Sequence, residues 1–154
     1  MTDLSAAIRR ESELLAAFIG LLREEQNALQ QGDAAALPGL NHQKSGLIEE
    51  LDALAGLRNA LLAKVGCAPD REGMQQWLAR PGSDKTVRPL WAALLKSATE
   101  ARELNELNGK LVAIRLQATQ EALAILTQQA RQTSLYGPNG QASPLTGLRI
   151  IDSA

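Results

Sequence analysis

The sequence predicts an all-α fold: an elongated antiparallel three-helix bundle or coiled coil, with a short extra helix in the second connection and an irregular C-terminal tail. Two observations carry most of this. Leu and Ala dominate the apolar residues while aromatics make up only 3% of the chain, a mix that suits helices and not strands. Apolar residues also recur at alternating intervals of three and four over long stretches, the spacing of one helix face. A chain of 154 residues with 45% hydrophobic content is enough for one domain with a buried core.

The first helix spans about residues 3–31. Its stripe is Leu4, Ile8, Leu15, Phe18, Leu22 and Leu29, interrupted only where Glu11 and Glu25 fall on it. Gly32 can end this helix and Asp33 can cap the next, which makes the joint a tight helical hairpin. The second helix spans about 34–65, with the stripe Leu37, Leu40, Lys44, Leu47, Leu51, Leu54, Arg58, Leu61 and Val65. Pro38 requires that its position lie in the first turn, where a missing N–H loses no helical partner.

Pro69, Gly73, Pro81 and Gly82 make the stretch from Gly66 to Asp84 mostly connection, with one short helix at about 72–79 held down by Trp77. No Pro occurs between Pro89 and Pro138, and apolar residues recur through Val87, Leu90, Leu94, Ala101, Leu104, Leu107, Leu111, Ile114, Ala118 and Ile125. A helix over about 84–131 follows. It would extend about 70 Å against roughly 45 Å for either partner, so one end should run past them. Gly109 within it marks either a close helix crossing or a bend. The helical domain is expected over 1–133, and the Gly-, Pro- and Ser-rich residues 134–154 form a tail carrying Leu145, Leu148, Ile150 and Ile151.

Several function classes are disfavoured by the same residues. Lys and Arg total 16 against 17 Asp and Glu, so no overall basic field draws nucleic acid or anionic lipid. The longest apolar run, Leu14 to Leu22, is about half the roughly 20 residues of a membrane span, and no stable membrane insertion is expected. A lone cysteine, Cys67, forms no internal disulfide and indicates a reducing, cytoplasmic setting. The single His42 lies off the apolar stripe without ligand-spaced partners, Cys67 lacks a basic neighbour, and Glu49, Glu50 and Asp52 scatter around a polar face. No catalytic residue, metal site or cofactor is expected, and no enzyme.

Binding capacity points instead to the end of the long helix. Between Leu116 and Ala130 the only charged residue is Glu121. Two apolar lines run along this segment. One passes through Leu111, Ile114, Ala118, Ala122 and Ile125, the other through Val112, Leu116, Leu123 and Leu126, about 100° apart. One line is expected to face the bundle and the other to stay free. Intervening Gln117, Thr119, Gln120, Thr127, Gln128 and Gln129 cost less to desolvate than Lys or Glu. Composition alone leaves two readings open, a docking face or a surface buried in the chain's own bundle or a homodimer.

The stretch NELNGKLVAIRLQATQEALAIL from Asn105, followed by LYGPNGQ from Leu135, resembles the C-terminal half of the FlgN flagellar chaperone family. The pattern elements are Asn105, Asn108, Gly109, Leu111 and Ile114, then Tyr136 and Gly137. The resemblance implies a cytoplasmic type III export chaperone for flagellum assembly. Such a protein holds hook-filament junction proteins by their disordered amphipathic ends, prevents premature association and delivers them to the export gate. It implies a client-binding region in the C-terminal part, here Leu111, Val112, Leu116, Thr119, Leu123 and Leu126, and docking of the gate or an escort protein at Tyr136 and Gly137. A homodimer is a further expected partner when no client is bound. The competing expectation is a generic helical adaptor or coiled-coil oligomerisation protein using the same stripe.

Overall fold

The structure is a computed structural model that describes residues 3–135, with side chains described through residue 133. All of its regular elements are helical: α1 (Asp3–Gln31), a 3-10 turn (Ala34–Ala36), α2 (Leu37–Lys64), α3 (Arg71–Ala79) and α4 (Val87–Leu135). The all-α expectation holds. The chain divides into two compact units, Met1–Leu111 and Val112–Ala154, with the division inside α4.

In the first unit α1 is the most deeply buried helix. Leu4, Ile8, Leu15, Phe18, Leu22 and Leu29 of its stripe are buried, and so are Ala7, Leu14, Ile19 and Ala28 beside them. α2 presents a narrower face: Leu40 and Leu62 are buried, while Leu47, Leu51, Leu54 and Leu61 are half-buried. α4 contributes Val87, Trp91, Leu94 and Ala101 to the same core. Its inward line then keeps a strict interval of seven through Leu94, Ala101 and Asn108. Leu107, expected on the inward stripe, is therefore exposed at 44%, while Asn108 is 1% exposed. A repeat of seven drifts against a straight helix, and the inward residue at the end of the unit is the one that stays in phase with it.

The ends of the helices are built by backbone closure. At the end of α1, Asp33 N donates to Ala28 O at 2.9 Å and Gly32 N to Leu29 O at 3.4 Å, with Gly32 at φ +72°. This is a Schellman motif, in which glycine takes the left-handed position at no side-chain cost. Asp33 thus closes α1 with its own N–H and makes no side-chain capping bond, contrary to the expected cap. The 3-10 turn intervenes, α2 begins at Leu37, and Pro38 sits in its first turn as the missing N–H requires. α2 ends the same way. Cys67 N donates to Leu62 O at 2.9 Å and Gly66 N to Ala63 O at 3.0 Å. Buried Cys67 then packs in the cluster that also holds Leu62, the apolar contact that accompanies such a cap.

α3 opens with Asp70, whose carboxylate accepts from Gly73 N at 2.8 Å. Met74, fully buried, anchors this helix, and Trp77 packs only partly against the core. A Cβ on Gly73 would lie 1.8 Å from Ala68 O, so the connector can pass here only over a glycine.

Candidate functional site

Two polar layers cross the first unit. Arg58 of α2 bonds Glu11 of α1, and its guanidinium lies over the Trp91 ring of α4 at 5.1 Å from the centroid. Lys44 Nζ of α2 donates to Glu25 Oε2 of α1 at 3.0 Å and to Asn105 Oδ1 of α4 at 3.3 Å. Asn108 Nδ2 completes this second layer, donating to Leu22 O at 2.8 Å and Glu25 Oε1 at 2.9 Å. Fourteen residues, two heptads, separate Glu11 from Glu25, Lys44 from Arg58, and Trp91 from Asn105. The layers therefore stack at the same seam positions, with α2 antiparallel to α1 and α4 parallel to it. Buried ion pairs stabilise little on balance, but their partners must meet, so they select one register and orientation of the three helices.

The titratable side chains within the bundle are accordingly tied to one another. Lys44 and Arg58 each pair with a carboxylate on α1. His42 is exposed, and the described residues hold no group of three or more His, Cys, Asp or Glu able to bind a metal ion. No helix among them is long and apolar enough to cross a membrane.

The second unit, described by itself, is the helix from Val112 onward. None of its described side chains is buried, and only Thr127 is half-buried. Val112, Leu116, Leu123 and Leu126 are exposed, from 45% for Leu123 to 61% for Leu126. Thr119 is exposed between them, its hydroxyl donating to Arg115 O at 2.9 Å. The expectation that the other apolar line would be covered is corrected: Ile114 and Ile125 are exposed at 62% and 57%, and Ala118 and Ala122 are exposed as well. A helix forms a covered face only where other elements lie against it, and no described residue covers this stretch. Leu111, the remaining expected site residue, is half-buried and is the last residue of the first unit.

Exposed apolar residues thus lie on two sides of this helix, since Ile114 and Ile125 stand roughly 160° around it from Leu116 and Leu123. Ile125 falls within the charge-poor run from Leu116 to Ala130, and Ile114 lies just before it, across Arg115. Glu121, its one charge, accepts from Gln117 Nε2 at 3.1 Å one turn away. Tyr136 and Gly137 lie outside the described residues.

These features define a class, the helical-bundle proteins with paired charges inside the bundle and several large apolar side chains exposed along one helix. The chain belongs to the FlgN family: the family model described as FlgN protein matches residues 1–144. It is 30% identical to the flagella synthesis protein FlgN of Proteus mirabilis over 97% of this chain and 98% of that protein. Against the proteins of the same name from Salmonella typhimurium and Escherichia coli strain K12, identity is 27% and 28%, over 93% of this chain and 92% of each relative. No solved structure matches the chain. Membership gives the motif residues a structural setting, since Asn105 and Asn108 are the two α4 side chains of the Lys44 and Glu25 layer.

Proposed function

We propose that this chain is a cytoplasmic type III export chaperone for flagellum assembly. It binds the hook-filament junction proteins by their disordered amphipathic ends, prevents their premature association and delivers them to the export gate. Membership in a family whose relatives are named flagella synthesis proteins supports the setting. The single observation that carries the binding role is the exposed, charge-poor face through Val112, Leu116, Thr119, Leu123 and Leu126.

A disordered client segment that folds as an amphipathic helix would lay its apolar side along this line, as helix-in-groove ligands do. Covering a Leu side chain fully contributes roughly 1.5–3 kcal/mol. Three leucines therefore supply several kcal/mol, from which the ordering of the client subtracts a few, leaving a complex that holds and still releases. Tyr136 and Gly137 then dock the gate or an escort protein, a phenol ring offering an apolar body with a polar tip.

Adding the full-length chain in equimolar amount to a purified junction protein should suppress the light scattering of its self-association. Scattering that proceeds at an unchanged rate would contradict the role.

One observation favours a second reading. The spacing Val112, Leu116, Thr119, Leu123, Leu126 alternates four and three without a break, the seam of a coiled coil, so a generic adaptor could pair two copies there. Sedimentation of the client-free protein separates the two. A dimer that junction protein does not dissociate belongs to the adaptor, whereas a dimer displaced by client is the resting form of the chaperone.

A further inference from the structure

The recess beside Arg58 and Trp91 is lined by leucines and by a carboxylate already paired with that arginine. The shallow clefts between α1 and α2 are apolar, with nothing to indicate an occupant. The second unit differs, because the spread of its exposed apolar residues around the helix restricts what can cover them.

At about 100° per residue, Ile114 and Ile125 lie about 160° from Leu116 and Leu123 one way round the helix and about 200° the other way. Between Val112 and Leu126 the narrower arc holds Gln117, Gln120 and Glu121 with Ala113 and Ala124. The wider arc holds Val112, Ala118, Ala122 and Leu126, with Thr119 and a single charge, Arg115. A long cationic side chain lays its stem on apolar surface and keeps its head in water, so Arg115 does not interrupt this arc as a buried charge would. The stripe by which a surface helix meets its neighbours is about 100° wide. One straight helix laid along Leu116 and Leu123 therefore leaves Ile114 and Ile125 in water.

We infer that the client brings two helical segments to this helix, one along Val112, Leu116, Leu123 and Leu126 and the other along Ile114, Ala118, Ala122 and Ile125, the three together forming a bundle. This rests on the client-binding reading of α4 and adds the form in which the client is held. Packed helix axes stand about 8–10 Å apart, so two neighbours that also touch each other are about 60° apart as seen from the third. With about 50° of cover beyond each, they enclose most of the wider arc and place the isoleucines and Leu116 at its rims. Ala118 and Ala122 lie toward the middle of the arc, where the incoming helices meet and small side chains leave room for both. A second copy does not satisfy the same surface. In a twofold pair each chain offers the other the same line, so the remaining line stays bare on both.

The test is isothermal titration of the full-length chain with a purified hook-filament junction protein, for the parent and for Leu123→Asp, Ile125→Asp, Ile125→Leu and Ala124→Asp, each checked for helicity by circular dichroism. The parent should bind one junction protein per chain. Leu123→Asp and Ile125→Asp should each weaken binding at least tenfold, Ile125→Leu should keep the parent affinity, and Ala124→Asp, the same charge on the polar arc, should change it less than twofold. Parent affinity in Ile125→Asp with weakened binding in Leu123→Asp overturns the inference and leaves the client reading standing on one line. Two junction proteins per chain overturn it as well, since each line then takes a separate molecule. So does an equal loss in Ala124→Asp, which assigns the effect to charge and not to side. Absence of binding by the parent ends the client reading, and the two-segment inference with it.

Discussion

Glu11 and Glu25 break the apolar stripe of α1, and Lys44 and Arg58 break that of α2, at positions where leucine would pack without penalty. Their pairing resolves the anomaly. Since each charge is buried with its partner, Arg58→Met leaves Glu11 uncompensated and should destabilise the fold by about 3–5 kcal/mol. The double change Glu11→Leu with Arg58→Met should recover most of that loss, and urea unfolding of the three proteins checks both values. Gly73 is a second residue without freedom. Gly73→Ala drives a Cβ into the Ala68 carbonyl and should cost about 1–3 kcal/mol, read as a lowered melting temperature. Gly109 behaves oppositely. Nothing lies within 4 Å of a Cβ there, so no close helix crossing accounts for the glycine. Gly109→Ala should raise stability by about 1 kcal/mol, the difference in helix propensity, and thermal melting shows whether it does. Tyr136→Ala should leave client affinity unchanged and impair delivery, measured as exported junction protein against its level in the cell. Lost client affinity would move Tyr136 into the binding face.

At the scale of elements, the helices were legible because the stripes are long and the breakers few. Gly32 and Gly66 announce two Schellman ends, and Pro38 limits the start of α2. The capping chemistry was less legible, since Asp33 closes α1 through its backbone and a side-chain preference does not foresee that choice. The phase of α4 was misjudged near Leu107. Leu107 and Asn108 lie about 100° apart on the helix, and a polar residue does not signal burial until its partners Leu22 and Glu25 are placed. Part of the candidate face was legible from the absence of charge between Leu116 and Ala130. The exposure of the second apolar line, through Ile114 and Ile125, was not, because periodicity cannot say whether such a line has an element against it. Leu123→Asp places a charge in the middle of that face without removing a buried contact. Helicity by circular dichroism should stay near that of the parent.

For the whole molecule, the division of labour between the two units follows from where polar groups are placed. The first unit uses its buried charges to fix one arrangement of helices, and the second leaves its apolar side chains exposed. Membership in the FlgN family supplies the biological setting, which physical reasoning about stripes alone could not reach, because the same seam suits a client helix and a second copy. The central claim is that the face through Leu116, Leu123 and Leu126 takes up the disordered end of a hook-filament junction protein. The most direct measurement is isothermal titration of the full-length chain with the C-terminal segment of such a protein, alongside the Leu123→Asp variant. Saturable binding by the parent, weakened at least tenfold in the variant at unchanged helicity, is the predicted result; equal affinity in the two proteins would contradict it.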